Sequence, residues 1–134
     1  MSLYAMFGTD KNAESEGVWL DYGDGGRIKI ARSGGSNSGY KQALSNLLKE
    51  HRHQINTGTL SDEVAERKQR EIFARHVVMD FDTVEGPDGE ELPYTPDNAT
   101  KLLADLPDLY ADLREQAAKL SNFRAEAIEA DAGN

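Results

Sequence analysis

The segment "GVWLDYGDGGRIKIAR", residues 17–32, constrains the fold more than any other stretch of the chain. Val18, Leu20 and Tyr22 share one parity, and Ile28 and Ile30 share one parity in the run that follows. Successive side chains of an extended strand point to opposite faces, so each run can bury one side and wet the other. The intervening "GDGG" tolerates the positive φ of a tight reversal, and the whole predicts a β-hairpin over 17–32. Arg27, Lys29 and Arg32 make its outer face basic. Trp19 has the opposite parity from its neighbours, so it either packs against another element or stands exposed.

Beyond the hairpin the period changes from two to three and four. "SGGSNSG", residues 33–39, reads as a flexible connector. A helix is expected from about Tyr40 to Ile55, with Ala43, Leu44, Leu47, Leu48 and His51 on its apolar side. "NTGTLSDE" interrupts it, and Thr59 or Ser61 can cap a second helix carrying Val64, Ala65, Ile72, Phe73 and Val77 on one face. That helix is expected to run into the apolar "HVVMDF". Thr95, Pro96, Asp97 and Asn98 then suit the start of a third helix, whose apolar side is Leu102, Leu103 and Leu106. Pro107 marks a break or kink. A last helix over about 107–128 carries Tyr110, Leu113, Ala117, Leu120 and Ala127 at three-four spacing, with Phe123 and Ile128 beside the seam. Such a narrow stripe suits bundle packing or pairing with another chain. The expected fold is a single mainly α (α+β) domain over 1–134. It has about four helices within 40–128, a small N-terminal β-hairpin before them, and a frayed tail at 129–134.

Composition narrows the chemistry. The chain has 134 residues and a net charge of −9, unevenly placed. Residues 1–79 hold 11 Lys/Arg against 10 Asp/Glu, a net of +1, and residues 80–134 hold 4 against 14, a net of −10. An acidic half repels phosphate backbones, so nucleic acid is not an expected partner. With no cysteine, disulfides, thiolate zinc sites and cysteine nucleophiles are excluded, and a reducing compartment is favoured. "MSLYAMFGTDKNAE" lacks the pattern of a secretory signal, and no window approaches 18 apolar residues, so no membrane association is expected.

Three candidate sites weaken on inspection. A calcium-loop register from Asp80 places Asp82, Asp88 and Glu91 suitably, yet Val84 lacks an oxygen ligand and Glu85 stands where glycine is needed. "GGSNSGYK" sits between a strand and a helix like a phosphate loop, but Tyr40 intervenes before Lys41 and Gln42 replaces the magnesium-binding hydroxyl. His51 and His53 point to different sides of their helix, and His76 reads as a histidine at the core edge. No catalytic, cofactor-binding or metal-ligating set is expected, and an enzyme is not.

The order of motifs resembles the tail assembly chaperones of long-tailed bacteriophages of the siphophage type. "GVWLDYGDGGRIKIAR", then "NSGY" opening a helix, then "DGEELPYTPDNATKLLADLPDLYADLREQA" follow that family's layout. The corresponding positions are Trp19, Arg27–Arg32, Tyr40, the turn Asp88–Pro96, Leu102 with Leu103, and Leu106–Leu109. The likeness spans most of residues 17–123, and Phe81 occupies the place of an expected tryptophan. It implies a non-enzymatic, cofactor-free protein of the host cell cytoplasm that binds the phage tape measure protein and keeps it soluble. It further implies self-association into a homo-oligomer, recruitment of the tail tube protein through a frameshifted longer product, and absence from the mature virion. A minor structural tail or head–tail component, and an acidic DNA-mimic inhibitor, are the alternatives. As contacts for a partner or a second copy, Trp19, Tyr22 and Tyr40 can act as exposed aromatic anchors, and Tyr110, Leu113, Leu120 and Phe123 as a helix-pairing stripe. Each can instead pack within the chain.

Overall fold

The alternation in residues 17–32 produces two antiparallel strands, β1 (Val18–Asp21) and β2 (Arg27–Ile30), in a computed structural model that describes residues 2–124. Gly23–Gly25 form a 3-10 turn between them, and the Tyr22 N–H donates to the Gly26 carbonyl at 2.9 Å. Ile28 and Ile30 face inward and are buried, with Val18 and Leu20 packed beside them.

In chain order the helices are α1 (Leu3–Phe7), α2 (Lys11–Glu16), α3 (Ser38–Glu50), α4 (Arg52–Thr57), α5 (Asp62–His76), α6 (Pro96–Asp105), α7 (Pro107–Ala118) and α8 (Leu120–Phe123). Their starts follow capping chemistry. Ser61 accepts from the Val64 N–H to open α5, and Thr95 accepts from the Asn98 N–H at 3.0 Å to open α6, with Pro96 in its first turn. Asp62 and Glu63 lie in the first turn of α5, Arg75 and His76 in its last, as its macrodipole favours.

Several expectations need correction. The second helix does not run through "HVVMDF": α5 ends at His76, and Val78–Asp82 form a third strand, β3. β3 pairs antiparallel with β2, so the sheet has the order β1-β2-β3, with a bulge opposite Lys29 and Ile30. The β-branched Val77 and Val78 are both buried, and the ladder with β2 outweighs continuation of the helix. Residues before the hairpin also fold, with Ser2 and Asp10 capping α1 and α2. The helix expected over Tyr40–Ile55 divides at His51 into α3 and α4. Pro107 starts α7, which stops at Ala118, and α8 follows after Lys119. Ala127, Ile128 and the tail 129–134 lie outside the described residues.

The basic outer face of the hairpin is neutralised by the strand that sequence periodicity missed. Across the ladder Arg27 stands between Asp21 and Asp82, and Lys29 between Trp19 and Asp80. Arg27 is ion-paired with Asp82, and its guanidinium lies 4.7 Å from the centre of the Trp19 ring. On the other side of the sheet lies the core. There Ile28, Ile30 and Val78 meet Phe73 and Val77 at the end of α5, Ala99 and Leu103 of α6, and Tyr110, Leu113 and Ala117 of α7.

The connector 33–39 is tied down rather than free, because it wraps the carboxylate of Glu14, which is 2% exposed. That carboxylate accepts from the Ser36 N–H at 2.6 Å, the Ser36 hydroxyl at 3.1 Å and the Thr9 hydroxyl, and Arg32 Nη1 lies 3.4 Å away. Gly35 has φ +55°, and a Cβ there would collide with Glu14 Oε2. Burial alone would raise the pKa of Glu14. The hydrogen bonds from Thr9 and Ser36, with the charge of Arg32, outweigh burial and hold it below the usual 4.5.

Glu14→Ala leaves these donors unpaired in a buried place and is expected to cost roughly 3 kcal/mol in urea denaturation. Because the folded pKa is depressed, the stabilisation is complete above pH 4.5 and lost as pH falls through the lower folded value. The stability gap between the wild type and Glu14→Gln should therefore narrow in that acid range. Gly35→Ala should cost at least about 2 kcal/mol by the same measurement, through left-handed strain and overlap with the carboxylate.

Candidate interaction surface

The turn "GPDG" closes a small hairpin rather than a metal loop. Glu85 and Glu91 form a β-bridge, the Leu92 N–H donates to the Val84 carbonyl at 2.7 Å, and Gly86 N–H donates to Glu90 at 2.8 Å. Gly89 supplies the positive φ of +80°, and the Asp88 carboxylate accepts from the Glu90 N–H at 3.1 Å. Of the acids in the calcium-like register, Asp82 faces Arg27 and Asp88 braces its own turn. Among the described residues, no group of three or more His, Asp or Glu side chains is placed to hold a metal. The phosphate-loop-like segment has its anion site filled by Glu14, as described above. His76 is exposed at the end of α5 rather than set at the core edge.

This hairpin and α6 form the walls of an apolar groove of about 400 Å³. Pro87 and Leu92 line one side, and Leu102 and Leu106 the other, with Lys101 and Asp105 ion-paired at the rim at 2.8 Å. Sequence periodicity does not separate the paired leucines. Adjacent helical residues diverge by about 100°, so Leu103 enters the core while Leu102 lines the groove. Leu106 sits at the junction of α6 and α7 and is 48% exposed. Beyond Glu85 and these leucines the groove continues as a second hollow of about 250 Å³, towards Val84, Leu109 and Tyr22.

The seven proposed contact residues do not form one surface. Trp19 is partly exposed on the outer face of the sheet, under Arg27. Tyr22 is also partly exposed and donates its hydroxyl to Asp112 of α7 at 2.5 Å. Burial and that hydrogen bond to a carboxylate push its pKa well above the ordinary value. Tyr40 is half-buried edge-on to Phe73, which meets Tyr110 edge-on at 5.4 Å. Leu120 is half-buried. Tyr110, Leu113 and Phe123 are buried within the chain, so this part of the stripe serves internal packing and is closed to a partner. The α7 stripe packs into the common core, with Tyr110 edge-on to Phe73 of α5. Four exposed apolar residues escaped sequence reading: Leu3, Tyr4, Met6 and Phe7, all on α1. Their signal was an uncharged run from Ser2 to Thr9 in a chain with 29% charged residues.

Fold and groove define a small acidic α+β protein with an apolar cleft of about 400 Å³ beside a helix. It is phage-derived: the family model described as YdaY prophage protein matches residues 35–134, and the chain belongs to that family. The matched span begins just before α3 and includes the hairpin and leucines that form the 400 Å³ groove. No curated protein and no solved structure matches the chain.

Core and groove leucines should respond differently to truncation. Leu113→Ala is expected to cost roughly 3 kcal/mol of unfolding free energy. Leu106→Ser, at the half-exposed groove edge, should change stability by less than about 1 kcal/mol in the same urea titration.

Proposed function

We propose that this YdaY-family prophage protein is a tail assembly chaperone that holds apolar helical segments of the tape measure protein in solution until the tail is built. The groove beside α6 carries the reading. An amphipathic helix can lay its apolar face against Leu92, Leu102 and Leu106, the helix-in-groove mode of recognition. The net charge of −9 suits a protein that must keep such a complex dissolved. The resemblance of residues 17–123 to tail assembly chaperones supports the same client, and phage origin agrees with it. On this reading the protein acts in the host cytoplasm, performs no reaction, and leaves before the virion is complete. A longer frameshifted product would bring in the tail tube protein.

Co-expression with the tape measure protein of the same prophage tests it. The client should become soluble and co-purify, and Leu106→Asp, at the half-exposed groove edge, should weaken both effects while the chaperone stays folded. A client whose solubility ignores the protein refutes the proposal. Recovery of the protein from purified virions by mass spectrometry would replace it with a structural tail role.

A further inference from the structure

The sheet has two edges, and they are not equally guarded. The Tyr22 N–H donates to the Gly26 carbonyl, so in the alternating antiparallel ladder Leu20 and Val18 are the residues bonded to Ile28 and Ile30. Trp19 and Asp21 therefore turn their N–H and C=O groups away from β2, and among the described residues no main-chain group outside the sheet bonds them. On the opposite edge Phe81 stands across from Ile28 and likewise turns its N–H outward, but the Asp80 carboxylate accepts that N–H at 2.8 Å. The Tyr94 hydroxyl donates to the Val78 carbonyl at 2.9 Å, and the bulge opposite Lys29 and Ile30 breaks the ladder on that side. Sheets protect an edge by such devices, and an edge without them is a template for one more strand. β1 carries no proline, lysine or bulge.

We propose that the β1 edge receives an extended segment of another protein, bearing lysine or arginine, as a fourth strand of the sheet with its cations beside Asp21 and Asp112. Main-chain pairing with Trp19 and Asp21 would hold such a segment, and side chains at alternate positions would select it. None of the β1 residues lines the groove beside α6, so the strand site goes beyond the client-binding reading and does not depend on it.

Charge identifies the occupant. On the outer face Asp21, Arg27 and Asp82 lie in one row as acid, base and acid, and the next place in that row calls for a cation. Behind the edge, a hollow of about 150 Å³ lies between Leu20, Asp21, Tyr22, Asp112 and Gln116. Asp112 accepts the Tyr22 hydroxyl, and the ion pairs among the described residues leave both Asp21 and Asp112 without a cation. Trp19, held under Arg27, adds a partly exposed aromatic plate for an apolar neighbour. A second copy is a poor occupant. Two β1 edges laid together bring Asp21 of each chain to the junction of two molecules of net charge −9, with no lysine or arginine in either strand.

A synthetic octapeptide alternating lysine with valine, titrated into the full chain, is the probe. Trp19 is the single tryptophan, so its emission reports binding at the edge itself. In the complex the amide protons of Trp19 and Asp21 should exchange more than about tenfold more slowly by NMR, while that of Phe81 keeps its rate. Asp21→Asn with Asp112→Asn retains the side-chain acceptors and should weaken binding by at least about threefold, with unchanged far-UV circular dichroism. Trp19→Pro removes an outward N–H and spares the bonds of Val18 and Leu20 to β2, so it should weaken binding further in calorimetry. Replacing the lysines of the probe by glutamate, or methylating its backbone nitrogens, should each abolish binding. Binding that leaves both amides at their free exchange rates is charge attraction alone and overturns the inference. Equal binding of the glutamate peptide, or no binding at millimolar probe, overturns it too. So does protection of the two amides that grows with protein concentration in the chain alone, which gives the edge to a second copy.

Discussion

The structure depends on the backbone of residues 27–33. β2 is the central strand, hydrogen-bonded to β1 on one edge and β3 on the other. The three residues after Ile30 then donate in turn to three separate elements. Ala31 N–H reaches the Val77 carbonyl at 2.8 Å, Arg32 N–H the Glu14 carbonyl at 2.8 Å, and Ser33 N–H the Ala117 carbonyl at 3.1 Å. One short run therefore ties the ends of α5 and α7 to the N-terminal α2. Buried backbone groups must find partners somewhere, and here they find them in elements far apart in the chain, as Asp10 does in donating to the Phe123 carbonyl at 2.9 Å. Glu14 completes this junction from the side-chain direction, since its carboxylate gathers Thr9, Arg32 and Ser36 around α2.

The same junction explains which parts of the fold were legible in the residues. Local chemistry was readable wherever its partner lay within a few positions. The parity of Val18, Leu20, Ile28 and Ile30, the caps Ser61 and Thr95, and the turn at Gly89 all depend on near neighbours. β3 was not readable, because a short apolar run such as "HVVMDF" fits a helix end as well as a buried strand. What decides it is pairing with β2, about 50 residues earlier in the chain. The role of Glu14 was hidden for the same reason: nothing in "NAESEG" announces that one of its two glutamates will be enclosed by a loop some 20 positions onward.

Charge counted along the chain misled in an instructive way. The first 79 residues are nearly neutral and the remainder carries −10, which suggests a basic sheet beside an acidic helical half. In the fold Asp80 and Asp82 come from the acidic half and flank Lys29 and Arg27 from the other. The sheet's outer face therefore alternates acid, base and acid across its strands, with Trp19 under the cations. Such a mixed face has little to offer a phosphate backbone. The candidate site was partly legible in the paired leucines 102 and 103, but the cleft itself requires the 84–92 hairpin to stand opposite α6.

That hairpin also shows why an acidic segment can frame an apolar groove. Its shape is held by main-chain hydrogen bonds, Leu92 to Val84 and Gly86 to Glu90, and by the Asp88 carboxylate that braces the turn, so the loop does not need its glutamates to fold. Tyr94, just beyond it, is anchored by its hydroxyl on the Val78 carbonyl and by an edge-on contact with Phe81. The hairpin thus enters and leaves through β3 and its aromatic neighbours, and its wall of Pro87 and Leu92 is fixed relative to Leu102 and Leu106. Glu85, Glu90 and Glu91 are left to repel other acidic chains at the rim without weakening the wall they surround. Binding apolar helices while staying dissolved requires that separation: backbone hydrogen bonds set the shape of the cleft, and side-chain charge sets its solubility.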